Sequence, residues 1–248
     1  PRSTLFPYTT LFRSVAFVVD GSTVQSDNLR YGAMPVAPAD PTKDADAQFT
    51  YIFDGWTPTV SPVTEAATYQ ATWRTTTNTY TISFNANGHG TAPASQTLAY
   101  GSKVVKPDDL SVEGYTFGGW FKEESCSNEW DFNNETVIGA QTLFAKWTVN
   151  TWTLTWNVNG GTITSAAGSY TNGQVDFGTA IVAPEVEKEG YTLTWNPAVP
   201  TTMPDADLTI AAGWTAKGDI PYQVVHRKQA LDGSWVVAET ENLTGAAD

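Results

Sequence analysis

His89, His226 and Cys126 are the chain's whole stock of histidine and cysteine, and they lie in different segments. A structural zinc site needs four such ligands at close spacing, so no metal centre is expected. His89 stands in the turn Asn87-Gly88-His89-Gly90 and reads as a solvated turn residue. His226 alternates with Val224 at a strand start and reads as structural or surface. One thiol cannot close an internal disulfide. Asp108-Asp109 and Glu123-Glu124 offer paired carboxylates for acid–base work, but they fall in turn segments where solvated charge is the default. Asp40, Asp44 and Asp46 are spaced loosely like a calcium loop, without its central Gly and distal Glu, so weak calcium association is the most they suggest. Dinucleotide, P-loop and nucleophile-elbow motifs do not occur. The expectation is no catalytic residue, no cofactor and no metal.

Ten tryptophans are the remaining chemistry, because exposed indoles are stacking platforms. Their spacing points instead to packing in internal repeats, which are sought first. Tyr80-Thr81-Ile82-Ser83-Phe84-Asn85-Ala86-Asn87-Gly88 matches Trp152-Thr153-Leu154-Thr155-Trp156-Asn157-Val158-Asn159-Gly160 position for position. Both alternate apolar and polar and end in Asn-x-Asn-Gly, which is a half-buried strand running into a tight turn. Val15-Ala16-Phe17-Val18-Val19-Asp20-Gly21 is a third copy.

Other marks recur in register. Tyr31-Gly32, Tyr100-Gly101 and Phe177-Gly178 are followed by Pro38, Pro107 and Pro184, each seven residues after its aromatic. Strands led by Tyr51, Tyr115 and Tyr191 run to Trp56, Trp120 and Trp195. Each copy closes on Ala-x-Trp, with Tyr69, Ala71 and Trp73, then Leu143, Ala145 and Trp147, then Ile210, Ala212 and Trp214. Residues two apart share a sheet face. The third copy lacks the Gly before its Trp, which would flip Trp56 and Trp120 to the opposite face unless a bulge absorbs the extra residue. Gly55 and Gly119 are the expected bulge positions.

The packing residues are therefore Phe17, Trp56, Trp73, Tyr80, Phe84, Trp120, Trp147, Trp152, Trp156, Trp195 and Trp214. Trp130 and Trp235 have no repeat counterpart and are the candidates for a surface contact.

The expected organisation is repeat modules at 15–73, 78–147 and 150–214 and a further unit at 219–248. The closing tryptophans stand 74 and 67 residues apart, near the size at which a small domain can just fold alone. Arg74-Thr75-Thr76-Thr77 and Thr148-Val149 read as short linkers. The fold class is mainly β, with α+β open, as tandem small modules arranged like beads on a string. A formal charge of −13 opposes nucleic acid, whose binding rests on Lys and Arg, and no run reaches the ~20 apolar residues of a membrane helix. No membrane insertion is expected, and the chain reads as a monomeric segment of a longer protein.

The pattern of the second module, from Tyr80-Thr81-Ile82-Ser83-Phe84 through Glu113-Gly114-Tyr115-Thr116-Phe117-Gly118-Gly119-Trp120 to Leu143-Phe144-Ala145-Lys146-Trp147, resembles the internalin B-repeat, or Listeria–Bacteroides repeat, family. Modules one and three resemble divergent variants. The resemblance implies a β-grasp-like fold and a place in secreted, cell-wall-associated bacterial surface proteins, as non-catalytic spacers or adhesive segments. Residues 219–248, with Tyr222-Gln223-Val224-Val225-His226, Leu231-Asp232-Gly233 and Thr240-Glu241-Asn242-Leu243-Thr244-Gly245, are similar to the opening of a mucin-binding-protein-like repeat. That likeness implies a host surface glycoprotein or glycan as the alternative partner. Residues 1–14, PRSTLFPYTTLFRS, resemble a translated sequencing adapter, with Arg13 where the repeat calls for an aromatic.

Overall fold

The computed structural model describes residues 11–165 and 172–245. Residues 1–10 of the adapter-like segment lie outside that range. The described residues contain strands and no helix, so the α+β alternative falls away. Thr, Val and aromatic residues on alternating positions favour pleated strands over helix.

Module one holds β1 (Phe12–Val19), β2 (Ser22–Arg30), β3 (Phe49–Thr57) and β4 (Ala67–Thr77). Module two holds β5 (Thr79–Asn85), β6 (Gln96–Ala99), β7 (Tyr115–Phe121) and β8 (Gln141–Val149). Module three has β9 (Thr151–Asn157), β10 (Thr162–Ser165), β11 (Gly173–Asp176), β12 (Glu185–Glu187), β13 (Tyr191–Asn196) and β14 (Leu208–Ala216). A hairpin of β15 (Ile220–Gln229) and β16 (Trp235–Gly245) follows, turning at Leu231-Asp232-Gly233.

The three modules repeat one topology. Their sheets run β2-β1-β4-β3, β6-β5-β8-β7 and β11-β9-β14-β13. In each, the two central strands pair in parallel, as Phe17 with Tyr69, Phe84 with Leu143, and Ile210 with Trp156. A parallel pair cannot be joined by a hairpin, so an irregular segment crosses from one sheet edge to the other. Module three adds a two-stranded ribbon, β10 with β12.

By contacts the chain divides into two compact units. The first comprises 1–87, 92–108 and 120–145, and the second 88–91, 109–119 and 146–248. Within the first, Val15, Phe17, Val63 and Tyr69 form a buried cluster, with Leu29, Trp56, Val60 and Ala67 against it. Within the second, Leu154, Trp156, Ile181, Met203 and Ile210 form its counterpart, joined by Trp152 and Trp195. Burying each such side chain contributes about 1.5–3 kcal/mol.

The register shifts between Phe53 and Gly55, so a bulge does absorb the extra residue, and Gly55 and Gly119 have φ of 125° and 101°. Module three pairs without interruption from Tyr191 to Asn196. Trp56 and Trp195 then face Ala71 and Ala212 across the same strand pair. The bulge keeps Trp56 on the face that Trp195 takes, and all three tryptophans meet the core aromatic edge-on. The centroids of Phe17–Trp56, Phe84–Trp120 and Trp156–Trp195 lie 4.9, 4.9 and 5.1 Å apart. Such pairs add about 0.5–1.5 kcal/mol beyond burial.

Candidate functional site: the module junctions

The segments expected to be linkers are strand. Arg74–Thr77 completes β4 and pairs with Phe49–Ile52, and Thr148-Val149 completes β8. A single residue separates β4 from β5 and β8 from β9, and it is asparagine in both places: Asn78 and Asn150.

Each asparagine is held on both sides by its backbone. The Asn78 N–H donates to the Gln48 carbonyl at 2.9 Å, while its own carbonyl accepts from Tyr100 N–H at 2.9 Å. Asn150 donates to Gly114 at 2.8 Å and accepts from Phe177 at 2.8 Å. The side chains repeat the pattern. Thr50 Oγ1 donates to Asn78 Oδ1 at 2.8 Å, and Thr116 Oγ1 to Asn150 Oδ1 at 2.6 Å. The asparagine amide carries both an acceptor oxygen and a donor NH2, so it can accept from the threonine and donate onward at once.

The onward bonds differ. Asn78 Nδ2 donates to the Asp46 carbonyl at 2.7 Å, and Tyr80 Oη donates to Ala47 at 2.6 Å. Asp46 Oδ1 accepts from Gln48 and Phe49 N–H at 2.8 and 2.6 Å, and its Oδ2 accepts from Tyr51 at 2.6 Å. These bonds hold the Asp46 carboxyl below its ordinary value, the Tyr51 hydroxyl most of all, and raise the Tyr51 phenol in turn. At the second junction Asn150 Nδ2 and Trp152 Nε1 both donate to Asp205 Oδ1, at 3.0 and 2.9 Å. Gly114 N–H donates to Asp205 Oδ2 at 3.0 Å. Asp205 belongs to module three and Gly114 to module two, so one carboxylate ties them together. Its pKa is lowered too, first by Asn150, then by Gly114 and Trp152.

Gly114 has φ of 78°, a backbone region that side chains disfavour. A Cβ there would stand 1.9 Å from Phe177 Cδ1. Phe177 also meets Tyr115 edge-on at 6.1 Å. The aromatic-Gly pair seen in sequence is therefore part of the junction. Its glycine docks a loop residue, with Gly32, Gly101 and Gly178 N–H donating to Val63, Val137 and Met203 at 2.8, 2.7 and 2.9 Å. Those three residues are only 2%, 0% and 0% exposed, and sequence reasoning missed them. They sit in irregular segments without periodicity, and the shared signal is an apolar residue six or seven positions before the closing strand's Tyr69, Leu143 or Ile210.

Among the residues proposed for packing, Phe17, Phe84, Trp120 and Trp156 are buried, while Trp56, Trp73, Tyr80, Trp147, Trp152, Trp195 and Trp214 are half-buried. Trp130 is not a surface residue. It is 7% exposed, its backbone N–H donates to the Trp120 carbonyl at 2.8 Å, and Lys122 lies 5.8 Å above its ring. Trp235 is 64% exposed. His89 is not a solvated turn residue, since it lies 4.0 Å from the Tyr115 ring and 5.7 Å from Trp147. His226 sits on the hairpin 3.7 Å from Glu241. Among the described residues no group of three or more His, Cys, Asp or Glu is placed to hold a metal ion. No helix among them is long and apolar enough to cross a membrane.

Residues 80–146 match the Listeria-Bacteroides repeat domain. A putative membrane protein of Evansella cellulosilytica is 30% identical over 190 residues, which is 73% of this chain and 27% of that protein. A putative Gly-rich membrane protein of the same organism is 30% identical over 81% of this chain and 24% of its own length. Internalin H of Listeria monocytogenes is 28% identical over 58% of this chain and 26% of its length. The chain spans about a quarter of each of these relatives.

Proposed function

We propose that this chain is a non-catalytic spacer segment of a secreted, cell-wall-associated bacterial surface protein, built from β-grasp-like modules coupled end to end. The observation that carries the reading is the single-asparagine junction used twice, bonded through backbone and side chain to the modules on either side. A one-residue connection with four or more hydrogen bonds has little freedom to bend, which is what a spacer requires. The repeat match at 80–146 and the membrane-protein and internalin relatives support a surface location. Negative charge spread along the modules favours solubility and opposes collapse.

Small-angle X-ray scattering on the whole chain tests this. A compact globule of this length has a radius of gyration of about 18 Å, and modules coupled in series are expected to exceed it. A value near the globular one sinks the spacer reading.

A second reading, adhesion to a host glycoprotein or glycan, draws on the hairpin at 220–245. Its Leu231, Trp235 and Tyr222 are 110%, 64% and 49% exposed, and the segment resembles a mucin-binding repeat. Retention on immobilised mucin that falls on Trp235→Ala would support it, and no retention of the intact chain would remove it. The adapter-like segment belongs to the same reading of the chain as foreign up to Ser14. Leu11 stands where Asn78 and Asn150 stand, accepting from Tyr31 N–H at 2.9 Å without a side-chain amide. Resequencing the gene across codon 15 decides it.

A further inference from the structure

Module three carries a groove of about 630 Å³ that its ribbon helps to build. Thr162, Thr164 and Val186 of β10 and β12 line one part, and Tyr191, Leu193 and Trp214 of the main sheet another. Among the described residues, modules one and two have no counterpart of the ribbon.

We propose that this groove binds an uncharged oligosaccharide of pyranose rings. Its volume falls in the range of small-molecule sites, roughly 300–1,000 Å³. Trp214 supplies a flat apolar ring of the kind that covers the C–H face of a sugar, while one face of the Tyr191 ring is taken by the Lys188 ammonium 4.3 Å above it. The Trp214 indole N–H is committed to the Val158 carbonyl at 3.1 Å, and the ring passes so close to Gly161 that a Cβ there would stand 2.4 Å from Cζ2. The indole is therefore anchored, and it offers a face and not a donor. Thr162 and Thr164 are exposed; the Thr164 hydroxyl donates to the Glu185 carbonyl at 3.4 Å and keeps its lone pairs for a sugar hydroxyl, while the Thr162 hydroxyl can both donate and accept. The charged lining residues are Glu187, Glu189, Lys188 and Lys217. Two carboxylates balance two ammonium groups, so the groove selects neither an anion nor a cation while giving donors and acceptors for hydroxyls.

The other modules cover the same ledge. Lys43 lies 4.6 Å above Tyr51 and 5.8 Å above Trp73. His89 lies 4.0 Å from Tyr115 and 5.7 Å from Trp147. In module three Lys188 stands 4.3 Å above Tyr191, and Trp214 faces the groove. The site goes beyond the spacer reading and does not depend on it.

The test titrates the full chain with cellotriose, maltotriose and chitotriose, followed by tryptophan fluorescence and amide shifts of β10 to β14. At least one neutral trisaccharide is expected to saturate with Kd below about 1 mM, which is measurable binding of −4.1 kcal/mol or better. Because the ligand is uncharged, affinity should change less than about twofold between low and high salt. Thr162→Arg and Thr164→Arg each fill the groove from an exposed strand position and should weaken binding about tenfold or more, with the circular dichroism spectrum unchanged. Two independent variants guard against one failing to fold. The proposal is overturned if no neutral probe binds at about 10 mM, if only acidic sugars such as sialyllactose bind, or if neither arginine variant weakens binding. The scattering profile is unaffected by any of these outcomes, so the two ideas fail separately.

Discussion

Replacing Gly114 with alanine probes the second junction directly. Two costs add. The residue sits at φ of 78°, and a side chain there costs about 1–2 kcal/mol. The new Cβ would also stand 1.9, 2.2 and 2.3 Å from three atoms of the Phe177 ring, a separation no relaxation of the Cβ alone can relieve. The ring must leave, giving up its edge contact with Tyr115 at 6.1 Å, about 0.5–1.5 kcal/mol, and part of its burial, about 1 kcal/mol. The sum is about 2.5–4.5 kcal/mol. Gly101 is the control, because its φ is 81° with nothing within 4 Å of a Cβ. Gly101→Ala should cost only the backbone part. Urea unfolding, and amide exchange of Phe177 N–H, which bonds Asn150 at 2.8 Å, separate the two. With a slope of about 2 kcal/mol/M, Gly114→Ala should lower the unfolding midpoint by about 1–2 M. If it costs no more than Gly101→Ala, the packing of Phe177 on Gly114 is not what closes this junction.

Asn150→Ala removes bonds to both Thr116 and Asp205 and should cost about 1–3 kcal/mol, with the loss concentrated in Phe177 and Gly114 amide protection. Unchanged protection would mean the backbone bonds suffice. Asp205 and Asp46 have lowered pKa values, so the folded junctions favour the ionised carboxylates. Their contribution is complete above the ordinary aspartate value of about 4 and is lost as pH falls through the depressed folded values. The junction amides should therefore hold their positions from neutral pH to about pH 4 and shift below it, a response that Asp205→Asn should erase at the second junction. Trp130→Ala should cost about 3–5 kcal/mol and Trp130→Phe far less, since its Nε1 has no hydrogen-bond partner. Trp235→Ala should leave stability within about 0.5 kcal/mol, and equal effects at the two sites would contradict their different burial.

Much of the fold was legible because period-two alternation and aromatic positions repeat three times. Phe17, Phe84 and Trp156 were placed by spacing alone, and the bulge at Gly55 followed from counting residues. What spacing could not show was where strands end. Thr75, Thr76 and Thr77 look like a linker by composition, yet threonine is as much a strand residue as a turn residue. Module one extends β3 and β4 together, so that Phe49 pairs with Thr77. Trp130 was misplaced because it has no repeat partner, and burial of a lone aromatic depends on a segment peculiar to one copy. His89 was read from its turn neighbours, while its environment is set by Tyr115 and Trp147 from distant strands.

The changes between copies follow hydrogen-bond capacity more closely than residue size. Asn87 and Asn159 turn their amides to the Ala145 and Ala212 carbonyls at 3.0 and 2.6 Å, fastening the opening turn to the closing strand. Module one has Asp20 in that place, which cannot donate to a carbonyl, and Asp20 binds Lys43 at 3.0 Å instead. That lysine is the one seated above Tyr51 and Trp73, so one change of acceptor is matched by a different cover for the same aromatic ledge. The junction asparagine shows the same logic at the other end. Lys217 N–H donates to the Gly190 carbonyl at 2.8 Å, the backbone bond that Asn78 and Asn150 make, but an ammonium cannot accept from a threonine hydroxyl. The side-chain half of the junction is thus chemically excluded after module three, at the point where the repeat pattern itself gives way to the hairpin.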